Sequence, residues 1–286
     1  MNARTKQGVF GARRKYNQWV ANETLEDYAL RFTGVNARKW SALRVASTAL
    51  GAITFLALEA IGGSITLSYG FNNALVSILL VSAIILLLSL PISYYSSKYG
   101  LDIDLLTRGA GFGYIGSTVT SLIYASFTFI FLALEASIMA LALELAFDLP
   151  LHWGYLVSTL VVIPVVTHGI TTISRFQLLT QPVWVVLQLL PIAFVLIHDI
   201  SSVDNWLQFQ GLEQNAIEQN GIEKSGPQLD WLMIGAASTL LFSLVAQIGE
   251  QADFARFIPP EKTAGKKSWW LATMLAGPGW IIIGAL

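Results

Sequence analysis

The 286-residue chain is strongly apolar and nearly neutral, with 54% hydrophobic residues, 12% charged residues and a formal net charge of −1. Because ordinary soluble domains contain about 25% charged residues, this composition excludes a water-soluble globular domain. Several apolar runs exceed the roughly 20 residues needed to cross a hydrocarbon core about 30 Å thick. The sequence therefore predicts an all-α, polytopic protein embedded in a lipid bilayer, and the near-neutral charge gives no reason to expect a nucleic-acid partner.

The chain begins with a basic segment, residues 1–42, which is not followed by a short apolar stretch with a small-residue cleavage site. We interpret this segment as a cytoplasmic tail rather than a signal peptide. Residues 43–286 are predicted to form one transmembrane domain, with five helices over 43–197, an external acidic loop over 198–229 and two helices over 230–286. The seven predicted spans run from Leu43 to Tyr69, Ala74 to Tyr95, Gly113 to Phe147, Leu151 to Ile170, Phe176 to Ile197, Asp230 to Ile248 and Ser268 to Leu286.

The distribution of basic residues predicts the orientation of the chain. With the amino terminus in the cytoplasm, Lys224 is the only one of the 17 Lys and Arg residues that falls outside. Lys and Arg residues next to membrane spans resist translocation. We therefore predict a multi-pass protein of the inner (plasma) membrane with a cytoplasmic amino terminus.

Acidic residues inside the apolar runs are the first candidates for function, because a carboxylate at the bilayer centre costs about 3 kcal/mol on insertion scales. Four lie in or at the ends of such runs: Glu59, Glu135, Glu144 and Glu250. Glu135 is the sharpest case, since Phe131 and Phe127 precede it by four and eight residues and share its helical face. Such a face suits a flat polar ligand, which needs both stacking and hydrogen bonding. The alternative is structural: a protonated acid, or a hydrogen bond that joins two helices.

Glu59 leaves the same two alternatives open. Glu144 and Glu250 lie nearer the membrane interface, where solvation is easier, and there the structural interpretation is favoured. Gln247 is a further polar candidate in the sixth predicted span, with helix packing as its alternative.

The sequence offers no catalytic or metal site. The segment GAGFGYIG has the GxGxxG spacing of a dinucleotide-binding turn, but no strand precedes it and a membrane span follows, so we interpret it as a turn before the third span. The chain has no Cys, and His152, His168 and His198 lack metal-ligand spacing. Catalysis and metal binding are therefore not expected.

Three stretches together resemble the nucleobase:cation symporter family, which includes purine, cytosine and hydantoin permeases. They are Lys98 to Leu145, HGITTISRFQLLTQP from His168 to Pro182, and ADFARFIPPE from Ala252 to Glu261. The resemblance implies two inverted five-helix repeats, with helices one and six broken at mid-membrane. It also implies that solute binds between these helices and helices three and eight. The chain then covers the first repeat and the start of the second, and we expect a longer parent protein.

The resemblance also implies roles for single residues. The family's stacking aromatic on helix three falls at Phe131, and its ligand-bonding amide falls at Glu135, where this chain has a carboxylate. The first-helix contacts fall near Ile53 and Thr54. The tryptophan position on helix six falls near Leu244. The coupling ion is expected to be Na+ or H+, with Glu59 and Glu135 as candidate groups for ion or proton coupling, and no other cofactor is expected.

Two functions follow from this resemblance. The first is secondary active transport of a nucleobase or related heterocycle. The alternative is a solute-sensing membrane region of a hybrid sensor histidine kinase, because RRKYNQWVANETLEDYALRFT, from Arg13 to Thr33, is similar to the start of bacterial proteins of that kind. A small heterocyclic solute, the lipid bilayer and a possible downstream kinase region are the expected partners.

Overall fold

The computed structural model describes residues 32–54, 56–212 and 229–285, and at Ile53 it describes the backbone alone. Residues 1–31 of the predicted basic tail, residues 213–228 of the external acidic loop, Phe55 and Leu286 lie outside these ranges. Within them every regular element is helical, which confirms the predicted all-α class.

The first predicted span is two helices. Helix α1 (Ala42–Ile53) begins with Ser41, whose side chain accepts a hydrogen bond from the Arg44 amide, and α2 (Leu56–Tyr69) follows after a bend of 51°. A break at membrane depth leaves backbone N–H and C=O groups without partners inside the helix, and other residues must satisfy them. The resemblance implied this break, and it determines where the candidate site lies.

The remaining elements of the first half follow in chain order. They are α3 (Phe71–Tyr99), α4 (Ile103–Thr107), a π-helical turn (Arg108–Phe112), α5 (Gly113–Phe147), α6 (Leu151–Thr167), α7 (Gly169–His198) and α8 (Ser201–Leu207). The π-helical turn lies at GAGFGYIG, where Gly111 and Gly113 have φ of 110° and 65°. Glycine adopts these angles without steric strain, so the segment is a turn into the third span, as predicted.

The second half begins with α9 (Trp231–Phe242), a 3-10 segment (Ser243–Gly249) and α10 (Glu250–Ala255). It continues with α11 (Glu261–Ala264), α12 (Lys266–Leu275) and α13 (Pro278–Gly284). The prediction of one continuous span from Ser268 to Leu286 is wrong, because α12 ends at Leu275 and α13 starts at Pro278. Proline lacks an N–H donor and restricts the residue before it, so a helix readily breaks at this point.

Several of these helices can cross a membrane by length and composition. Four stretches qualify: Phe71–Tyr99, Ile103–Phe147, Gly169–His198 and Trp231–Ala255. The bent pair α1 and α2 makes a fifth if it is counted as one span, while α6 is apolar but has only 17 residues. The described part of the chain therefore has the architecture of a multi-pass membrane protein.

Helix α3 presents a buried serine face to the second half of the chain. This face consists of Ser77, Ser89, Ser93 and Ser96, which are fully buried. Three of these hydroxyls donate to backbone carbonyls on other helices: Ser77 to Ile234 (3.1 Å), Ser93 to Thr273 (2.6 Å) and Ser96 to Ala252 (3.0 Å). Small residues let helix backbones approach closely, and their hydroxyls join helices in lipid. The serine face therefore fastens α9, α10 and α12 to α3.

Replacing Ser93 with Leu is expected to destabilise the protein by about 2–4 kcal/mol, because the larger side chain overpacks a filled interface and leaves the Thr273 carbonyl without its donor. Thermal unfolding of the purified protein in detergent measures this change. Ser126→Leu is the matched control, since Ser126 is exposed and donates only to Leu122 of its own helix. Equal unfolding temperatures for the two variants would contradict the role assigned to the serine face.

Two glycines cross at the turn between α2 and α3. Gly70 has φ of 83° and Gly211 has φ of 91°. A Cβ atom at Gly70 would overlap the backbone of Gln210, and a Cβ atom at Gly211 would overlap the backbone of Gly70. The Phe71 amide donates to the Phe209 carbonyl at 2.9 Å beside this crossing. The chain after α8 is thus held against the turn.

Arg38 closes the opposite end of α3. Its guanidinium is 5% exposed and donates to the carbonyls of Ile258 (2.8 Å), Lys98 (3.3 Å) and Ser97. Loss of hydration on burial lowers the pKa of Arg38 from its usual value. Three carbonyl dipoles, each hydrogen-bonded to the guanidinium, stabilise the charge there. The segment before α1 is thereby tied to the end of α3 and to the chain after α10.

Candidate functional site

The amino end of α2 is held by a carboxylate from another helix. The backbone N–H of Ala57, the second residue of α2, donates to Glu135 Oε1 at 2.9 Å. The first N–H groups of a helix have no partner within it, and a side-chain oxygen at this position satisfies one of them. The partial positive charge of the helix end also interacts favourably with a carboxylate. Glu135, about two thirds of the way along α5, therefore caps the amino end of a helix to which it does not belong.

The carboxyl end of α1 is held by an amide. Gln247 Nε2 donates to the backbone carbonyl of Ala52 at 2.7 Å. This carbonyl lies in the last turn of α1, where carbonyls have no partner in the helix. Gln247 belongs to the 3-10 segment that interrupts the sixth predicted span. Two interruptions of regular α-helix therefore meet here, one in the first span and one in the sixth.

Phe131 lies one turn before Glu135 on α5. Its ring centroid is 4.5 Å from that of Phe127, as their shared helical face predicted. Phe131 also packs against an apolar cluster formed by α2, α3 and α9, which includes Ile65 and Leu241. The partly buried ring therefore packs against the protein, one helical turn from the residue that bonds the helix break.

A cavity of about 540 Å³ opens beside the break, between α1, α2, α3, α7, α13 and the segment from α9 to α10. Its polar and aromatic lining includes Thr54, Glu59, Gln247, Glu250, Trp184 and Trp280. A volume of this size is in the range of small-molecule sites. Phe131 and Glu135 are not among its lining residues, so they border the break from the α5 side while the cavity lies on the other side.

The structure brings some of the predicted site residues together and separates others. Glu135 and Gln247 both bond the ends of the broken first span, and Thr54 is half-buried in the break. The side chain of Ile53 lies outside the described residues. Glu59 is exposed and lines the cavity rather than contacting Glu135. Leu244 is buried in the apolar cluster, so it offers no stacking face.

Sequence reasoning missed part of the cavity. Trp184 and Gln188 line it from α7 at a spacing of one helical turn, and Gln251 lines it one turn after Gln247. A polar or indole side chain repeated at i and i+4 inside an apolar run is the signal that was available. Gln251 is 3% exposed, and its Oε1 accepts from the Ser89 hydroxyl at 2.7 Å. The amide is thus fixed against α3 at the edge of the cavity.

A family model described as a permease for cytosine/purines, uracil, thiamine and allantoin matches residues 33–286. This match takes in every described helix. The chain belongs to this permease family. The match confirms the resemblance noted in the sequence, and it supports membrane transport of nucleobase-like solutes as the general function. Comparison with curated proteins and with solved structures gave no match.

Side chains satisfy both ends of the broken first span. A discontinuous helix leaves backbone N–H and C=O groups at membrane depth without partners inside the helix. In this chain two such groups, the Ala57 N–H and the Ala52 carbonyl, are bonded by Glu135 and Gln247. These two side chains therefore stabilise the break.

Proposed function

We propose that the protein containing this chain is a secondary active transporter of a nucleobase or related heterocycle, driven by Na+ or H+. In this proposal Phe131 stacks on the ring of the solute, while Glu135, Gln247 and the backbone at Thr54 bond its edge. The observation that carries the proposal is the pair of hydrogen bonds that Glu135 and Gln247 make to the two ends of the broken first span.

The physical argument begins with the cost of moving a polar ring out of water. Each hydrogen-bonding group of the solute must find a partner in the protein, because an unpaired group costs about 1–3 kcal/mol. The break supplies polar groups at a depth where α-helices otherwise bond only to themselves. An aromatic ring next to them supplies a flat apolar face. These two elements recognise the face and the edge of a heterocycle.

Coupling to an ion needs a group whose charge or occupancy changes between states. Glu59 in the cavity wall and Glu135 at the break are the candidates, since intramembrane carboxylates commonly serve in proton relays and ion pathways. We propose that these two residues couple solute transport to the driving ion. We also assign the protein to the inner membrane with a cytoplasmic amino terminus, on the basis of the basic-residue asymmetry.

Uptake by the full-length gene product tests this function. Cells or proteoliposomes containing it are expected to accumulate a purine, pyrimidine or hydantoin against its gradient. One of the two gradients, Na+ or proton, is expected to drive uptake, and collapse of that gradient is expected to stop accumulation. Absence of ion-dependent accumulation for every such solute would contradict transport, and solute binding without uptake would instead favour the sensory alternative.

A further inference from the structure

We propose that the transported solute presents two adjacent N–H donors, an amidine-like edge, to Glu135, and that anionic heterocycles are excluded. This inference rests on the proposed function and names the solute class for the same site. It follows from the hydrogen-bonding capacity that remains at the break after Ala57 and Ala52 are satisfied.

In its ionised form, the carboxyl group of Glu135 can only accept hydrogen bonds. Its two oxygens offer about four lone-pair positions, and the Ala57 N–H uses one of them on Oε1. No other described residue bonds this carboxylate, and the side chain is half-buried. The remaining capacity matches a pair of parallel donors, which is the geometry in which carboxylates bind amidine and guanidine edges most strongly.

Gln247 supplies a further acceptor at the break. Its amide nitrogen uses one of its two N–H groups to donate to the Ala52 carbonyl, which leaves its carbonyl oxygen and one N–H for a solute. Both polar side chains at the break therefore offer acceptors. A solute edge made only of carbonyl oxygens would find no donor on the ionised Glu135.

The charge distribution excludes anions. The described residues that line the neighbouring cavity include Glu59 and Glu250 but no Lys, Arg or His. Among the described residues at the break, the positively polarised feature is the amino end of α2, and Glu135 occupies it. An anionic solute would therefore find no cationic side chain among the described residues there, and the Glu135 carboxylate would repel it more strongly than in water.

Two probe series that differ only at one ring position test the inference. In the pyrimidine series the probes are isocytosine, 4-pyrimidinone and uracil, which have an amino group, a hydrogen and an oxygen at C2, respectively. In the purine series the probes are guanine, hypoxanthine and xanthine, which have the same three substituents at C2. Orotate and urate are the anionic probes. Affinities are measured with the purified full-length protein in detergent.

The amino-substituted probe of at least one series is expected to bind about tenfold or more tightly than its hydrogen and oxygen partners, since one charge-assisted hydrogen bond is gained. The anionic probes are expected not to bind. In Glu135→Gln the preference for the amino probe is expected to disappear. Glutamine keeps an acceptor for the Ala57 N–H and nearly the same shape, but it replaces one acceptor with a donor.

Glu144→Gln is the matched control, because Glu144 lies on the same helix but is exposed, and it is expected to keep the wild-type preference. Equal or tighter binding of the oxygen-substituted or anionic probes to the wild-type protein would overturn the inference while leaving the proposed function in place. Binding of no probe in either series would instead count against the proposed function.

Discussion

Glu135→Leu is expected to abolish solute uptake, lowering its initial rate by about 100-fold or more, because a buried polar edge of the solute loses its charged partner. The same change leaves the Ala57 N–H unbonded at the start of α2, which costs about 1–3 kcal/mol of stability. The loss of uptake and a modest loss of stability are therefore expected together. Initial uptake rates, normalised to the amount of protein in the membrane, measure the first effect.

Glu135→Gln separates the two effects. Glutamine can still accept from the Ala57 N–H, so the stability of the wild type is expected while the solute preference changes. Glu144→Leu removes a carboxylate from an exposed position of the same helix and is expected to leave uptake unchanged. Wild-type uptake by Glu135→Leu would show that the solute does not bind at the break.

Gly70→Ala is expected to destabilise the protein by about 3 kcal/mol or more. Alanine at a φ of 83° is strained, and its Cβ would overlap the backbone of Gln210, which cannot move aside as a flexible side chain can. Retention of folded protein during heating in detergent measures this effect. The variant is expected to lose its native fold at a much lower temperature than the wild type.

Gly235→Ala is the control for Gly70→Ala. Gly235 lies on an exposed face of α9, has no positive φ, and nothing lies within 4 Å of a Cβ atom there. Alanine also has the higher helix propensity. The control is expected to be neutral or slightly stabilising, and a similar loss of stability in both variants would contradict the role of the Gly70 and Gly211 crossing.

Composition and apolar run length predicted the fold class, and they placed the third span at the bounds that α5 has, Gly113 to Phe147. They did not predict the break in the first span, because the run from Leu43 to Tyr69 is apolar on both sides of the break. Hydropathy does not show where a helix within such a run changes direction. The resemblance supplied that expectation instead. The seventh span was misjudged for a different reason. Gly277 and Pro278 mark a break that averaged hydropathy hides.

The candidate site was predictable only in part. Glu135 was identified because a carboxylate in an apolar run is costly, yet its partner is the Ala57 backbone, and a backbone N–H leaves no signature in the sequence. The same is true of Gln247 and the Ala52 carbonyl. The cavity was missed because its lining comes from separate helices: a polar i and i+4 pair marks one face of a helix but does not show which other faces meet it. Residues such as Trp184 and Gln251 become a group only when the helices are packed.

The serine face of α3 has an evolutionary consequence. Three of its hydroxyls bond backbone carbonyl oxygens, which every amino acid supplies, so these hydrogen bonds do not depend on which side chains stand at Ile234, Ala252 and Thr273. The burial of these three positions still limits the volume of their side chains. Descendants of this chain are expected to exchange residues of similar size at those three positions while retaining small hydroxylated residues on α3.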